Sequence, residues 1–109
     1  MAELGNDRAA EVAIDTRAEE SGTPVITVSG ELDISNAGSL ERVVETMAKQ
    51  HPQRLIFDLS GLRFMDSAGI AVLVGTTAKV EEVRLRDPTP VVRRVIELTG
   101  LTRVLPMEP

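Results

Sequence analysis

The first regular pattern along the chain is the alternation of Val12, Ile14 and Thr16 with smaller or charged residues. A period of two places alternate side chains on opposite faces of a strand, so this segment is predicted to be a half-buried β-strand. A turn cluster at residues 19–24 follows, and the β-branched residues 25–29 then predict a second strand. The two strands are expected to pair as a hairpin.

Three later segments repeat apolar residues at the spacing of a helix. The first helix is predicted at residues 36–50, and the second at residues 67–80. Apolar residues cover almost the whole girth of the second helix, so its first turns are expected to be buried. The third helix is predicted to begin after Thr89 as N-cap, with Pro90 in its first turn, and to stop at Gly100. The apolar stripe of the first helix consists of Leu40, Val43, Val44 and Met47.

Short segments between these helices predict further strands. Residues 55–57 are continuously apolar, which is typical of a central strand, and residues 83–86 alternate between apolar and basic. Residues 30–33 interrupt the second strand, and residues 101–105 are expected to add one more. Strands thus alternate with helices, which predicts an α/β domain with a mixed sheet of four to five strands and about three helices packed on it.

Length and charge limit the organisation and the partners of the chain. Its 109 residues suffice for one domain, predicted at residues 11–109, after a flexible acidic tail at residues 1–10. Six acidic and two basic residues fall within residues 1–20, and the net charge is −5. The folded part therefore lacks a basic stripe, and direct nucleic-acid binding is not expected.

Cysteine and long apolar runs are both missing from the sequence. Without cysteine there is no disulfide framework and no thiolate zinc site. No apolar run approaches the roughly 18 residues of a membrane span, and residues 1–10 have no apolar core of a signal peptide. We therefore expect a cytoplasmic protein without membrane contact.

The polar corner between the predicted strand at residue 57 and the helix at residue 67 is the main candidate for chemistry. It places Ser67 at a helix start, where unpaired backbone N–H groups and the positive end of the helix dipole favour a phosphate. Asp66 competes with Ser67 for the N-cap position, so one of the two side chains is expected to stay free. The corner suits a simple cap, a phosphorylation switch or a serine nucleophile.

A serine hydrolase is the weakest of these alternatives. Ser67, Ala68 and Gly69 match the second half of the hydrolase elbow Gly-x-Ser-x-Gly, but Met65 stands where its first glycine should be. A catalytic triad also needs a histidine, and His51 is the only one in the chain. Its position before a proline at a helix end indicates a solvated cap residue.

No metal or other cofactor is expected. Asp58 and Asp66 flank the corner and are the carboxylates that could hold a divalent cation in principle. Aspartates in such positions more often accept hydrogen bonds from a turn or a helix start. We therefore expect both to be cap or turn acceptors.

Three blocks of residues form a pattern that is far more specific than any single motif. Residues 57–70 contain Phe-Asp-Leu-Ser-Gly-Leu, then Arg63, then Phe-Met-Asp-Ser-Ala-Gly-Ile. Residues 30–33 are Gly-Glu-Leu-Asp, and residues 90–101 have the pattern of a closing helix. Together and in this order, the blocks strongly resemble the STAS domain of bacterial anti-sigma factor antagonists, over about residues 12–105.

The resemblance implies a mechanism. In similar proteins the serine after the aspartate is phosphorylated by the partner, an anti-sigma factor that is also a serine kinase, which makes Ser67 the phosphoacceptor. The unphosphorylated form binds the anti-sigma factor and frees a sigma factor, and a Ser/Thr phosphatase resets the switch. Asp33 matches a position that helps kinase docking, and Asp66 flanks the acceptor. The small residues Ala68 and Gly69 are expected to let the partner backbone approach closely.

Two departures from the family pattern bear on this interpretation. The second helix is about one turn short, because no glycine pair separates residues 76–82 from the next strand. Many relatives add a final helix after the position of Pro109, and its loss is expected to expose residues 101–105. The protein is expected to be a monomer or a weak homodimer. The alternative function is a STAS scaffold or sensor module without phosphorylation, within a larger signalling or transport assembly.

Overall fold

The protein folds as a four-stranded sheet with helices packed against it, in a computed structural model that describes residues 11–108. The sheet order is β1-β2-β3-β4, with β1 antiparallel to β2 and the other neighbours parallel. The hairpin and the mixed α/β sheet predicted from the sequence are thereby confirmed. The elements are β1 (Val12–Ala18), β2 (Pro24–Leu32), α1 (Ala37–Ala48), β3 (Arg54–Met65), α2 (Ser67–Thr76), β4 (Glu82–Arg86) and α3 (Pro90–Leu98).

The core lies on one face of the sheet. Ile26, Phe57 and Leu85 occupy adjoining register positions on β2, β3 and β4, and all three are fully buried. Side chains from all three helices complete the same cluster, which removes their apolar surface from water. The predicted stripe of α1 is confirmed, since two of its members are buried and two are packed partly against the core. The buried helical residues are Leu40, Val44, Leu73, Val92 and Ile96.

The third helix has the predicted start. The hydroxyl of Thr89 accepts a hydrogen bond from the N–H of Val92 (3.5 Å) and donates one to the carbonyl of Leu62 on β3 (2.7 Å). This residue therefore caps α3 and fastens it to the sheet. Pro90 is the first helical residue, where its missing N–H costs nothing.

Strands β2 and β3 are longer than predicted. The segment that interrupts the pattern of β2 remains in the strand through Leu32, and β3 spans residues 54–65 rather than 55–57. Register shifts between the two strands absorb the irregular residues, and Gly30 adopts a φ of 94° at one of them. A Cβ on Gly30 would overlap the carbonyl oxygen of Glu11, so this bend requires glycine. Most of the predicted polar corner therefore belongs to β3, which pairs with β2 through these bulges.

Two predictions about α2 are wrong. The helix ends at Thr76 instead of residue 80, because the N–H groups of Thr77, Ala78 and Lys79 bond the carbonyls three residues before them (2.9–3.2 Å), so turns follow the helix. Its first turns are also not buried all round, since Ser67 and Ala71 are exposed.

The expected strand at residues 101–105 is also absent from the described part of the chain. Those residues form turns, and Met107 makes a single parallel bridge to Leu85. The expected exposure holds only in part, because Leu105 is fully buried while Val104 is 43% exposed. The predicted tail at residues 1–10 lies outside the described residues. No helix among residues 11–108 is long and apolar enough to cross a membrane.

Candidate functional site

Asp66 is the N-cap of α2. One carboxylate oxygen, Oδ1, accepts hydrogen bonds from the N–H groups of Ala68 (2.9 Å) and Gly69 (3.3 Å). Its extended backbone (φ −100°, ψ −171°) turns the chain from β3 directly into the helix. The expectation that Asp66 serves as a cap acceptor is confirmed.

Ser67 is the first residue of α2, and its side chain is exposed. Because the neighbouring carboxylate satisfies the helix amides, the Ser67 hydroxyl forms no hydrogen bond with any other residue among 11–108. A free hydroxyl thus lies at the positive end of a helix dipole. The sequence predicted this arrangement, because only one of the two adjacent cap residues is needed for the cap and the other stays free.

The second oxygen of Asp66 joins a separate part of the chain to this helix start. Oδ2 accepts a hydrogen bond from the N–H of Ile34 (3.2 Å), and the N–H of Asp66 donates to the carbonyl of Leu32 (3.1 Å). Both partners belong to the end of β2 and the loop that follows it. The β2–α1 loop is therefore held beside Ser67.

Asp33 shapes that loop. Its Oδ1 accepts hydrogen bonds from the N–H (2.9 Å) and the hydroxyl (2.6 Å) of Ser35, and its N–H donates to Oδ1 of Asn36 (3.0 Å). Its carbonyl accepts from the N–H of Ala37, the first residue of α1 (2.8 Å). Asp33 therefore defines the loop conformation, and the loop brings it to the same end of the sheet as Ser67.

Gly69 and Ala68 differ in exposure. Gly69 is buried, and a Cβ there would come within 2.6 Å of Met65 and 2.8 Å of Leu32, which is closer than any real contact. Glycine at this position is therefore required by the packing of α2 on the strands. Ala68 is partly exposed and lies next to Ser67 on the surface. Direct contact of either residue with a partner stays a prediction.

Two exposed apolar side chains at the same end of the sheet were not singled out from the sequence. Ile34 is 83% exposed in the β2–α1 loop, and Phe64 is 47% exposed near the end of β3. Singly exposed apolar residues are common, and it is their grouping into a patch that marks a binding surface. Their sequence signal is weak, since Ile34 is a single apolar residue among polar neighbours and Phe64 stands next to the buried Met65.

His51 and Asp58, the other residues considered for hydrolase or metal chemistry, lie apart from Ser67 or bond elsewhere. His51 lines a groove with residues 78–81, beyond the far end of α2, so the length of that helix, roughly 15 Å, separates it from Ser67. Asp58 accepts hydrogen bonds from the N–H (3.1 Å) and hydroxyl (2.8 Å) of Ser60, as a turn acceptor would. Residues 11–108 contain no cluster of three potential metal ligands.

Sequence and structural comparisons identify the family and the fold. The STAS domain family model matches residues 15–109, and the chain belongs to that family. It is 32% identical over 91 residues to the anti-sigma-F factor antagonist RsfB of Mycobacterium tuberculosis, a match that covers 81% of this chain and 75% of RsfB. The matched relatives are anti-sigma factor antagonists, and the fold is that of a single STAS domain.

Solved structures extend the likeness. An anti-sigma factor antagonist from Mycobacterium paratuberculosis superimposes with a TM-score of 0.84 at 30% identity, over 91% of this chain and 86% of that one. SpoIIAA in its unphosphorylated form has a TM-score of 0.76 at 26% identity, over 89% of both chains. The phosphorylated form of the Bacillus SpoIIAA has a TM-score of 0.69 at 25% identity, over 89% of this chain and 92% of that one.

Proposed function

We propose that this protein is an anti-sigma factor antagonist that is switched by phosphorylation of Ser67. The unphosphorylated form binds an anti-sigma factor with serine kinase activity and thereby releases a sigma factor. The observation that carries the proposal is the exposed, unbonded hydroxyl of Ser67 at the start of α2. A kinase can transfer a phosphate to this oxygen without first breaking a hydrogen bond of the fold.

The docking surface consists of the β2–α1 loop and the first turn of α2. It brings together Asp33, Asp66, Ser67, Ala68 and Gly69, of which Gly69 contributes through its backbone because it is buried. The exposed side chain of Ile34 lies in the same loop and supplies apolar contact area. A partner that covers this surface reaches the hydroxyl and the two carboxylates together.

Phosphorylation acts through charge. A phosphate on Ser67 adds about −1.5 to −2 charges at neutral pH, which the N-terminus of α2 accommodates. The same charge falls next to Asp66 and at the end of the sheet that carries Asp33, so the docking surface becomes strongly negative. The fold is retained, while an acidic partner surface is repelled and an apolar one has to desolvate the phosphate.

The remaining components act in trans. A Ser/Thr phosphatase removes the phosphate from Ser67 and restores binding. The protein itself has no catalytic function, binds no nucleic acid and works in the cytoplasm. Its sequence relatives named anti-sigma factor antagonists and the SpoIIAA structures in two phosphorylation states support this assignment.

Phosphate transfer is the first test. Incubation of the protein with candidate anti-sigma kinases and ATP should add one phosphate, which peptide mass spectrometry should place on Ser67. Ser67→Ala should abolish the modification. Ser60→Ala is the matched control, because Ser60 is also exposed but its hydroxyl bonds Asp58, and it should leave the phosphate in place. A phosphate found on Ser60 would contradict the proposed site.

Binding separates the switch from the scaffold alternative. Ser67→Glu should weaken binding to the anti-sigma factor at least about tenfold relative to Ser67→Ala, because it adds a negative charge to the docking surface. Isothermal titration with each variant measures the difference. Equal affinities, together with no phosphorylation by any kinase that the protein binds, would favour the STAS module without a switch.

A further inference from the structure

The two edges of the sheet differ in whether their outward backbone groups are hydrogen-bonded. The outer edge of β4 is covered by the C-terminal segment: the N–H of Leu85 donates to the carbonyl of Pro106 (2.9 Å), and its carbonyl accepts from the N–H of Glu108 (2.8 Å). Strand β1 pairs with β2 alone, and no backbone group among residues 11–108 bonds its outer side. Sheets usually protect such an edge, because it can accept another strand.

Hydrogen bonds at both ends of β1 identify the groups that point outward. The carbonyl of Glu11 accepts from the N–H of Glu31 (2.8 Å), and the N–H of Glu19 donates to the carbonyl of Thr23 (2.9 Å). Odd-numbered residues of this segment therefore direct their backbone groups toward β2. The even-numbered residues present theirs to the open edge, and Ile14 and Thr16 lie on either side of the middle of the strand.

Two opposite charges lie on either side of Thr16. Asp15 and Arg17 are both exposed, and neither forms an ion pair with another residue among 11–108. Their side chains project from the sheet face opposite the core, since Ile14 packs against the core cluster. The edge thus carries a short pattern of acid, neutral residue and base.

We propose that β1 pairs antiparallel with β1 of a second copy of this chain, centred on Thr16. This register places Asp15 opposite Arg17 of the second copy, and Arg17 opposite Asp15 of that copy, in the closely spaced, non-hydrogen-bonded positions. Backbone groups at Ile14, Thr16 and Ala18 then form about six hydrogen bonds across the two-fold axis.

Other registers are less favourable. Centring the pair on Asp15 or on Arg17 would place two like charges directly opposite each other, which is destabilising. Centring it on Ile14 would place Arg17 opposite Glu11 of the second copy but leave Asp15 opposite Ala13, so the Asp15 carboxylate would gain no partner. The register at Thr16 is therefore the one that gives both Asp15 and Arg17 an opposite charge.

The two switch sites stay accessible in this dimer. Val12 pairs with Gly30, so the N-terminal end of β1 lies at the end of the sheet that carries Ser67. Antiparallel pairing reverses the second copy, and its Ser67 then lies at the opposite end of a continuous eight-stranded sheet. Dimer formation is independent of the proposed switch, and each can fail without the other.

A proline at the centre of the strand tests the edge itself. Because the N–H of Thr16 points away from β2, Thr16→Pro should remove only an outward donor and keep the fold, as prolines on edge strands do. Sedimentation velocity from micromolar to millimolar concentrations should show a reversible dimer for the natural chain and a monomer for Thr16→Pro. Circular dichroism checks that the variant is folded. A natural chain that stays monomeric throughout would overturn the proposal.

Charge reversal and a disulfide test the register. Asp15→Arg and Arg17→Asp should each weaken the dimer about tenfold, and the double variant should recover to within about threefold of the natural chain. Since the chain has no cysteine, Thr16→Cys supplies a single thiol, which should oxidise to a cross-linked dimer. Arg94→Cys, at an exposed site on α3, is the control and should cross-link much less. Failure of the double variant to recover, or preferential cross-linking through Ile14→Cys, would overturn the register.

Discussion

Asp66 and Ser67 are adjacent, and both are suited to an N-cap, yet only the aspartate makes the cap bonds. A carboxylate has two acceptor oxygens, so Asp66 bonds Ala68 and Gly69 through one and Ile34 through the other. A serine hydroxyl is too short and has too few lone pairs oriented to do the same. The pairing of these two residue types therefore leaves the hydroxyl free for modification.

Substitution of Asp66 tests its capping function. Asp66→Ala should lower the free energy of unfolding by about 1–2 kcal/mol, because the amides of Ala68, Gly69 and Ile34 lose their acceptor. Asp66→Asn keeps one acceptor oxygen, which can still cap the amides of Ala68 and Gly69 but leaves that of Ile34 without its acceptor, so this variant should lose less than Asp66→Ala. Urea denaturation measures both values. Equal losses for the two variants would indicate that the helix cap bonds contribute little and that the charge or the bond to Ile34 stabilises this position.

At the scale of elements, the sequence pattern predicted the helices and strands that local interactions stabilise. Strand β4 and helix α3 were predicted closely, because alternation, the Thr89 cap and Pro90 are all encoded within a few residues. The full extent of β3 was missed, since polar residues such as Asp58 interrupt its apolar pattern and remain extended only through pairing with β2. Pairing over such a distance along the chain leaves no local signal.

Substitution by alanine is expected to have opposite effects at two glycines of α2. Gly69→Ala should destabilise the protein by about 1–3 kcal/mol, because its methyl group would push the helix away from Leu32 and Met65. Gly75→Ala should stabilise it by up to about 1 kcal/mol, since a Cβ there has no heavy atom within 4 Å and alanine favours the helix. Thermal and urea unfolding of both variants check the signs. A stable Gly69→Ala variant would mean that α2 can shift on the sheet at little cost.

At the scale of the whole molecule, Arg86 joins distant parts of the chain. Its guanidinium contacts Glu19 in the turn after β1 (2.7 Å) and Glu108 near the C-terminus (2.7 Å). The hydrogen bond from Arg86 lowers the pKa of Glu19, and bonds to Glu108 and Glu19 raise the pKa of Arg86. The two ion pairs link β4 to the turn after β1 and to the C-terminal segment, and the partners are too far apart in sequence for periodicity to have predicted them.

Acid should weaken this network. The folded pKa of Glu19 lies below its unfolded value near 4.5, so its contribution is complete above that value and is lost as pH falls through the folded pKa. The urea midpoint should therefore decrease between about pH 5 and pH 3. Arg86→Gln should make this decrease shallower, whereas Arg93→Gln, an exposed arginine on α3, should not. An unchanged slope in Arg86→Gln would assign the acid sensitivity to other carboxylates.

The candidate site shows the same limit of local prediction. The free hydroxyl of Ser67 followed from its neighbour alone, whereas the link between Asp66 and Ile34 joins residues 32 positions apart. Burial of Gly69 against Leu32 likewise depends on how α2 packs on β2. Neither contact could be predicted from spacing, because each exists only once the parallel sheet has formed.

The three amides that share the carboxylate of Asp66 have one further property in common. The N–H groups of Ile34, Ala68 and Gly69 lose their acceptor together whenever this side chain swings away. We therefore expect the loop and the helix start to open together, although separate segments of the chain supply them. A partner that binds the Asp66 carboxylate would then loosen both segments at once.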